Sequence, residues 1–332
     1  MNILLGDIGG TNTRLLFAKT NGTGWESLYE KNYSSQNYSN LYEVLNNFIL
    51  EHDIAVSVDA ACFAIAGPVE NGTVSVTNLP WVVSEKQLKE DLKTPHVKII
   101  NDFLAVALGI SELNENDFII VQKGQDSSNR VNSDAAVIGA GTGLGAAHLV
   151  WLEDHYHCYT SEVGHAGFAP ENTLQSQLLL WMQQKHSHVS LEMLLSGKGL
   201  GIIYQFLRET MKFKESSLVM NEMKSKDPAQ VITEYALFGD DELCQETLAC
   251  FVDIYGAAAG NIALHYYPIG ELYIAGGIAA KIKNKILSSA FIHAFVNKGL
   301  LSSNMKKINI KLIVQDKVGL YGAFVKLKSI YL

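Results

Sequence analysis

The 332-residue sequence is poor in the features that mark several common classes of protein. It has only four cysteines, Cys62, Cys158, Cys244 and Cys250, with neither C-x-x-C spacing nor a zinc-finger arrangement of cysteine and histidine. A disulfide framework and a structural zinc site are therefore not expected. Buried free thiols in a reducing cytoplasm are the simplest interpretation.

Positive charge is also scarce. The 26 lysines and arginines are outnumbered by 34 acidic residues, which gives a formal net charge of -8. This balance argues against a large phosphate-binding face, so we expect no nucleic-acid partner. A single nucleotide such as ATP needs only a small local field and is not excluded.

Long uninterrupted hydrophobic runs are missing too. The apolar run at Ile3–Leu5 is short and is followed closely by Asp7, unlike a signal peptide. The most apolar later stretch, about 254–280, is interrupted by Asn261, His265, Pro268 and Glu271. A membrane span needs about 20 apolar residues. We therefore expect a soluble, cytoplasmic protein without a membrane partner.

What the sequence does contain is a strand–turn–strand pattern that occurs twice. Residues 2–5 and 14–19 are predicted strands around the glycine turn at 6–11. Residues 135–138 and 147–152 similarly flank the glycine-rich segment 139–145. The length suggests about two domains, and the repeated cycle of strands and then helices indicates two related α/β halves with a cleft between them.

Hydrophobic spacing predicts the other elements. Buried strands are expected at 60–66, 97–100 and 272–275. Helices are expected at 40–52, 103–110, 173–186, 190–212 and 241–267. A polar loop at about 122–134 and a polar, lysine-rich connection at about 213–230 are predicted to lie outside regular elements.

The first glycine turn combines phosphate-binding features. Gly9 and Gly10 permit backbone N–H groups to point inward, and Thr11 and Asn12 add a hydroxyl and an amide. Asp7, just before the turn, would be repelled by phosphate oxygens unless Mg²⁺ or water lay between them. The pattern favours a metal–nucleotide site, although an ordinary tight hairpin with Asp7 as a turn residue explains it equally well.

The second glycine turn matches the loose dinucleotide fingerprint through Gly141, Gly143 and Ala146. A dinucleotide-binding turn must open a helix, whereas residues 147–152 are rich in strand formers. This context favours a second hairpin, parallel to the first. No G-x-x-x-x-G-K-[ST] phosphate loop occurs.

Two neighbouring polar residues end the strand predicted at 97–100. Asn101 and Asp102 would face a cleft at this strand end and could hold a polyol, with Asp102 accepting a hydroxyl proton. The alternative is that Asp102 merely caps the helix at 103–110.

Further candidate sugar ligands come later in the chain. Glu162 and His165 lie three apart around a glycine, and both side chains can bond to sugar hydroxyls; a solvated loop is the alternative. Glu192 follows Ser190, where a helix is predicted to begin, and Glu in a first turn is stabilised by the helix dipole whatever its function. By itself, Glu192 is therefore interpreted as structural.

These motifs, in this order, resemble the bacterial glucokinase family of the sugar kinase/actin/heat-shock chaperone superfamily. The resemblance runs from Gly6 to about Gly322. The segments that carry it are Gly6–Asn12, Gly139–Gly145, Ala66–Pro68, Thr77–Trp81, Ile99–Phe103, Ile274–Ile278 and Asp316–Gly322. The chain departs from the family pattern at Val163, where a second glycine is usual, and at Gly167, where an acidic residue is common. It also lacks the cysteine-rich zinc motif of the related repressor and kinase family.

The resemblance implies two α/β domains with ribonuclease-H-like cores, as in actin-like ATPases, with a ligand cleft between them. The small domain would hold 1–112 and 315–332, and the large one 113–314. The implied activity is transfer of phosphate from ATP to the 6-hydroxyl of glucose by a homodimer. Kinases for mannose or an N-acetylated amino sugar, a non-catalytic actin-like nucleotide switch, and polyphosphate as donor remain alternatives.

The resemblance also assigns roles to residues. Asp102 would be the general base, and Mg²⁺ would bind near Asp7 through water, because this ion usually keeps several waters. The implied sugar contacts are Asn101, Asp102, Glu162, His165 and Glu192. The implied ATP contacts are Gly6, Asp7, Ile8, Gly9, Gly10, Thr11, Asn12, Thr142, Gly143, Gly276 and Gly277.

Overall fold

The structure, a computed structural model, describes residues 1–54, 57–125, 132–210 and 213–331. Residues 126–131 of the polar loop predicted at 122–134 and the last two residues of the helix predicted at 190–212 lie outside the described residues. The described chain divides into two compact units. The first comprises Met1–Glu115, His155–Cys158 and Gln315–Leu332, and the second Asn116–Asp154 and Tyr159–Val314.

Runs of strands and runs of helices follow one another along the chain. The strands are β1 (Asn2–Ile8), β2 (Asn12–Thr20), β3 (Trp25–Ser34), β4 (Ala60–Ile65), β5 (Val69–Glu70), β6 (Thr73–Ser75), β7 (Val82–Ser84), β8 (Val97–Asn101), β9 (Phe118–Gln122), β10 (Ala135–Ala140), β11 (Leu144–Leu152), β12 (His155–Ser161), β13 (Glu271–Ala275) and β14 (Asn309–Ile313). The helices are α1 (Leu41–Glu51), α2 (Glu85–Asp91), α3 (Asp102–Gly109), α4 (Thr173–Gln183), α5 (Gly197–Thr210), α6 (Ser217–Glu222), α7 (Pro228–Phe238), α8 (Glu242–His265), α9 (Gly277–Lys281), α10 (Lys283–Ile286), α11 (Ser289–Val296), α12 (Ser302–Met305) and α13 (Val318–Tyr331).

The first unit is built on a five-stranded sheet in the order β3-β2-β1-β4-β8. β1 forms an antiparallel hairpin with β2 and pairs in parallel with β4, which pairs in parallel with β8. All six residues of β4 are buried, as expected for a central strand covered on both faces. A separate three-stranded sheet has the order β5-β6-β7.

Helices cover both faces of this sheet. On one face, α1 buries Leu41, Val44, Leu45 and Phe48 at helical spacing. On the other face, α13 contributes Leu320, Phe324 and Leu327 to the core. α13 and α3 pack with their backbones so close together that a Cβ on Gly322 would collide with the carbonyl oxygen of Ala105. The end of the chain is thus an integral layer of the first unit.

The second unit is built on a six-stranded sheet in the order β12-β11-β10-β13-β14-β9, in which β12 contributes Tyr159–Ser161 to this unit. β10 again forms an antiparallel hairpin with the following strand, β11, and pairs in parallel with β13. β13 pairs in parallel with β14, and β9 closes the far edge in the antiparallel direction. From the hairpin through two further parallel strands, the arrangement repeats that of the first unit.

The long helix α8 lies in the core of the second unit. Gly256 and Gly260 allow α11 to approach closely, since a Cβ on either would meet a backbone carbonyl oxygen of α11. Among the described residues, α8 is the one helix long and apolar enough to cross a membrane by length and composition. Because 78% of its apolar window is buried inside the structure, it has the burial of a core helix.

Several sequence predictions are confirmed and others are corrected. Both hairpins form, and the helices expected at 40–52, 103–110, 173–186 and 241–267 correspond to α1, α3, α4 and α8. The helix expected at 190–212 begins only at Gly197. The connection expected at 213–230 contains α6 and the start of α7. The sequence predictions also omitted β3, β5, β6, β7, β9, β12, β14, α2, α7, α9, α10, α11, α12 and α13.

Candidate functional site

The first glycine turn joins β1 to β2. The N–H of Gly9 donates to the carbonyl oxygen of Asn12 at 2.8 Å, which closes the turn. The hydroxyl of Ser35, a fully buried residue, donates to the carbonyl oxygen of Gly9 at 2.9 Å. A Cβ on Gly10 would lie 2.8 Å from the carbonyl oxygen of Thr77, so this position is restricted to glycine. Thr11 and Asn12 are exposed at the tip.

Gly6 and Ile8 point into the interior of the first unit. A Cβ on Gly6 would lie 2.5 Å from the Phe63 ring, and Ile8 is fully buried. Both shape the strand that leads into the turn. Their predicted contacts with ATP stay predictions.

Asp7 lies at the end of β1, directly across the hairpin from Arg14. Its carboxylate packs on Gly319 in the first turn of α13, where a Cβ would lie 2.5 Å from Oδ2 of Asp7. Burial and the negative charge of Asp102 raise the pKa of Asp7 to about 6, and the Arg14 guanidinium opposes this shift. The two carboxylates therefore share one electrostatic environment.

Arg14, which lies across from Asp7, is held by two hydrogen bonds to Asp316, just before α13. Its Nη1 donates to the carbonyl oxygen of Asp316 and its Nη2 to a carboxylate oxygen of Asp316, both at 2.8 Å. The sequence analysis missed Arg14. The register of the hairpin would have placed it, because a turn that pairs Ile8 with Thr13 pairs Asp7 with Arg14.

Asn101 and Asp102 lie where β8 passes into α3. Asn101 is the N-cap, and its side-chain oxygen accepts from the N–H groups of Phe103 and Leu104 at 3.0 Å. Its amide donates to the carbonyl oxygen of Gly67 and to Oδ1 of Asp102, both at 3.1 Å. The interpretation of Asp102 as the cap is therefore wrong; it is the first residue of the helix, and its neighbour caps it.

The second glycine turn, between β10 and β11, is closed by the N–H of Gly141 donating to the carbonyl oxygen of Gly143 at 2.8 Å. The N–H of Gly197, at the start of α5, donates to the carbonyl oxygen of Gly141 at 3.0 Å. Thr142 is exposed at the tip. Since β11 follows the turn, the dinucleotide-binding alternative is excluded by the context it requires.

Gly276 and Gly277 follow β13 beside this second turn. Gly276 has φ of +92°, which favours glycine, and it packs directly against the carbonyl oxygen of Ala140. A Cβ on Gly277 would meet no atom within 4 Å. The predicted nucleotide-binding glycines of the second unit, Gly143, Gly276 and Gly277, therefore lie close together.

Glu192 also contacts the second turn. Its Oε2 accepts from the N–H of Leu144 at 2.9 Å, and a Cβ on Gly143 would lie 2.5 Å from the same oxygen. Glu192 lies before α5 and outside its first turn. Its interpretation as a residue stabilised by a helix dipole is therefore wrong.

Glu162 and His165 occupy a short loop that packs on the start of β11. A Cβ on Gly164, between them, would collide with the carbonyl oxygen of Leu144. Their side chains are 82% and 65% exposed, and His165 Nε2 lies 3.9 Å from Glu162 Oε2. Both side chains are thus available to a ligand, close to the turn that Glu192 contacts.

The loop is joined to the segment that carries Glu192. The N–H of Glu192 donates to the carbonyl oxygen of Gly164 at 2.8 Å, and that of Leu191 to Ala166 at 2.9 Å. The ring of His188 bonds to the carbonyl oxygen of His165 at 2.8 Å. The second unit therefore brings Glu162, His165 and Glu192 together, and the first unit places Asp102 near Asp7. The sequence analysis missed His188, for which no local signal exists.

No group of three or more potential metal-ligating His, Cys, Asp or Glu side chains occurs within the described residues. This finding leaves room for Mg²⁺, which is usually held by one or two carboxylates together with waters and substrate phosphates. Asp7 has the required oxygen ligands.

Comparisons with known proteins give a consistent result. A family model described as Glucokinase matches residues 4–330. The glucokinase of Nostoc sp. (strain PCC 7120) is 39% identical over 335 aligned residues, which cover 97% of this chain and 97% of that protein.

Solved structures agree with this result. The crystal structure of a glucokinase from an Antarctic psychrotroph is 32% identical, with a TM-score of 0.80 and coverage of 99% of both chains. The ROK family glucokinase of Streptomyces griseus, crystallised with glucose and AMPPNP, is 17% identical, with a TM-score of 0.66 and coverage of 97% and 98%. The latter shows likeness of fold alone. These neighbours share a mixed α/β fold with several sheets, as found here.

Proposed function

Because the chain belongs to the glucokinase family, we propose that it transfers the terminal phosphoryl group of ATP to the 6-hydroxyl of glucose, with Asp102 as general base. Relatives and structural neighbours named as glucokinases cover nearly the whole chain. The activity is that of an ATP-dependent glucose kinase.

The single observation that supports the role of Asp102 is its position in the first unit. It lies at the carboxyl end of β8, next to an asparagine whose amide bonds to it at 3.1 Å, and close enough to Asp7 for the two charges to interact. A carboxylate at this point can accept the hydroxyl proton of a sugar as the phosphoryl group is transferred. The neighbouring amide holds its Oδ1, which limits rotation of the side chain.

The sugar ligands proposed besides Asp102 come from both units. Asn101 is held in the first unit by its bond to Gly67. Glu162, His165 and Glu192 belong to the second unit, where hydrogen bonds connect their segments. Carboxylate, amide and imidazole groups match the alternating donor and acceptor character of sugar hydroxyls.

The proposed nucleotide ligands are the two glycine turns and Gly276–Gly277. Exposed backbone and the hydroxyls of Thr11 and Thr142 lie at the tips of the turns. Backbone N–H groups in such turns can bind phosphate oxygens without placing a full charge there. The residues of the first turn are Gly6 to Asn12, and those of the second include Thr142 and Gly143.

Mg²⁺ is proposed to be held by Asp7, through water, together with the phosphates of ATP. The raised pKa of the Asp7 carboxyl shows that its negative charge is poorly compensated within the protein itself, and a cation would supply that compensation. When bound, Mg²⁺ neutralises charge on the transferred phosphoryl group. No zinc is proposed.

The finer architecture follows from the same premise. We propose that the two sheets are the cores of two ribonuclease-H-like domains of the actin-like ATPase type, with a ligand cleft between them. The proposed domain boundaries are 1–112 with 315–332 and 113–314. A cytoplasmic homodimer that binds neither nucleic acid nor membrane is proposed from the family resemblance.

The test is release of ADP by the purified protein with Mg-ATP and a panel of hexoses. Glucose-dependent release is expected, and Asp102→Asn should lower turnover about 10²–10⁴-fold while the Michaelis constant for glucose changes little. Asp227→Asn is the matched control, because Asp227 caps α7 and asparagine caps helices equally well.

Each alternative outcome has a separate meaning. Release with mannose or an N-acetylated amino sugar in place of glucose would correct the substrate and keep the mechanism. Near-normal turnover in Asp102→Asn would refute this residue as the base. ATP binding without release with any sugar would favour the non-catalytic nucleotide switch.

A further inference from the structure

The segment that carries two proposed sugar ligands is held mainly through its backbone. Glu162 and His165 project exposed side chains from a loop of one short helical turn, Val163–His165. The N–H of His165 donates to the carbonyl oxygen of Glu162, and that of Ala166 to Val163. The orientation of both ligands therefore depends on a few peptide planes.

A second segment, 188–192, lies alongside this loop. Its backbone bonds to the loop at three points: Glu192 to Gly164, Leu191 to Ala166 and Phe168 to Val189, at 2.8–2.9 Å. Gly167 and Ser190 form an antiparallel bridge between the same segments. This pairing also places Glu192 at the second glycine turn.

His188 adds a side-chain bond at the centre of this pairing. Its Nε2 lies 2.8 Å from the carbonyl oxygen of His165. A carbonyl oxygen only accepts, so Nε2 must carry the hydrogen and donate. The peptide between His165 and Ala166 is thus held at both ends, with its carbonyl bonded to His188 and its N–H bonded to Val163.

We propose that His188 is a positioning residue of the sugar site: it fixes the peptide plane after His165 and thereby the direction of the His165 and Glu162 side chains. This inference rests on the proposed function. His188 itself acts through His165 and is not assigned to the reacting atoms. The side chain of His188 is exposed, so its contribution to the core is small.

The test compares His188→Leu with His188→Gln. Leucine removes the donor, whereas glutamine retains an N–H of similar reach. For His188→Leu the Michaelis constant for glucose should rise about three- to tenfold, which corresponds to the loss of one hydrogen bond. The turnover number and the Michaelis constant for ATP should stay within twofold. His188→Gln should recover most of the lost affinity for glucose.

The matched control is His186→Ala, two residues earlier and also exposed; it should leave all three constants unchanged. An unaltered Michaelis constant for glucose in His188→Leu would overturn the positioning role. So would equal losses for glucose and ATP that follow a fall in the melting temperature, because they would indicate a merely structural role. Failure of the unsubstituted protein to phosphorylate glucose would refute the proposed function as well.

Discussion

The two glycine turns each join the strands of an antiparallel hairpin, and they obtain their carboxylates in different ways. In the first unit, Asp7 comes from the strand that enters the turn, and the Ser35 hydroxyl bonds to the turn carbonyl of Gly9. In the second unit, Glu192 comes from a segment distant in sequence and bonds to the N–H of Leu144. There a main-chain N–H, that of Gly197, bonds to the turn carbonyl of Gly141.

The two turns therefore depend on different kinds of interaction. The first turn relies on side chains that are close in the hairpin or packed under it, and its carboxylate is electrostatically strained. The second turn relies on main-chain bonds, and its carboxylate accepts a hydrogen bond from the N–H of Leu144. The same strand–turn–strand unit thus carries a buried charged side chain in the first unit and a carboxylate held by a main-chain bond in the second.

The largest expected effect concerns the charge of Asp7. Its pKa is raised from 3.8 to about 6, so the folded protein retains a proton that the unfolded chain has lost between about pH 4 and pH 6. Stability conferred by this group therefore falls as pH rises through that window and stays lower above it. Without nucleotide or metal, Asp7→Asn should be more stable than the native protein by up to about 3 kcal/mol at pH 7.5.

The measurement is the free energy of unfolding in urea at pH 4 and pH 7.5. The advantage of Asp7→Asn should largely disappear at pH 4, where the folded protein keeps the proton and the unfolded chain has lost it only in part. A stability advantage that is equal at the two pH values would contradict the raised pKa of Asp7 in the folded protein.

A smaller effect is expected at the second turn. In Gly143→Ala the new Cβ would lie 2.5 Å from Oε2 of Glu192 and displace it from the Leu144 N–H. Loss of a charge-assisted hydrogen bond should raise the Michaelis constant for glucose about tenfold. The control is Gly141→Ala, whose Cβ would meet no atom within 4 Å.

A double variant sharpens the result. If Gly143→Ala acts through Glu192, its effect should largely vanish in a Glu192→Gln background, because the two changes remove the same interaction. Additive effects would show that the alanine perturbs the turn in another way.

The smallest effect is expected at the brace of the first turn. Ser35→Ala removes a buried hydroxyl that bonds to the Gly9 carbonyl and lies 3.0 Å from the Thr13 hydroxyl. It should lower the free energy of unfolding by about 1 kcal/mol. The neighbouring Ser34 is exposed, so Ser34→Ala should have almost no effect. Equal values for the two variants would remove the contrast with the second turn.

The local features of the fold were predictable from the sequence. Both hairpins follow from glycine between runs of strand formers, and α8 follows from its long apolar pattern. β3 was missed because its exposed charges obscure the alternation. β14, by contrast, has alternating buried residues at Ile310 and Leu312, directly preceded by the buried Ile308, and could have been found.

The positions of candidate site residues were predictable where a residue adjoins its own turn or strand end, and the roles of these residues stay predictions. Asp7, Asn101 and Asp102 lie beside such features. Ser190 resembles a helix cap, so the sequence placed Glu192 in the first turn of a helix, whereas pairing of this segment with 164–168 holds it outside the helix. His188 and Gly319 make contacts with residues far away in sequence, which periodicity and spacing do not encode.

The position of α13 has a consequence for biosynthesis. This helix supplies Gly319 beneath Asp7 and packs backbone to backbone on α3, although more than 200 residues separate it from both. During translation, a nascent chain exposes β1, β4 and α3 long before α13 leaves the ribosome. The second unit falls almost wholly within the continuous stretch 116–314, which is synthesised before α13. It can therefore fold earlier than the first unit. The unit whose strands are made first is the one completed last.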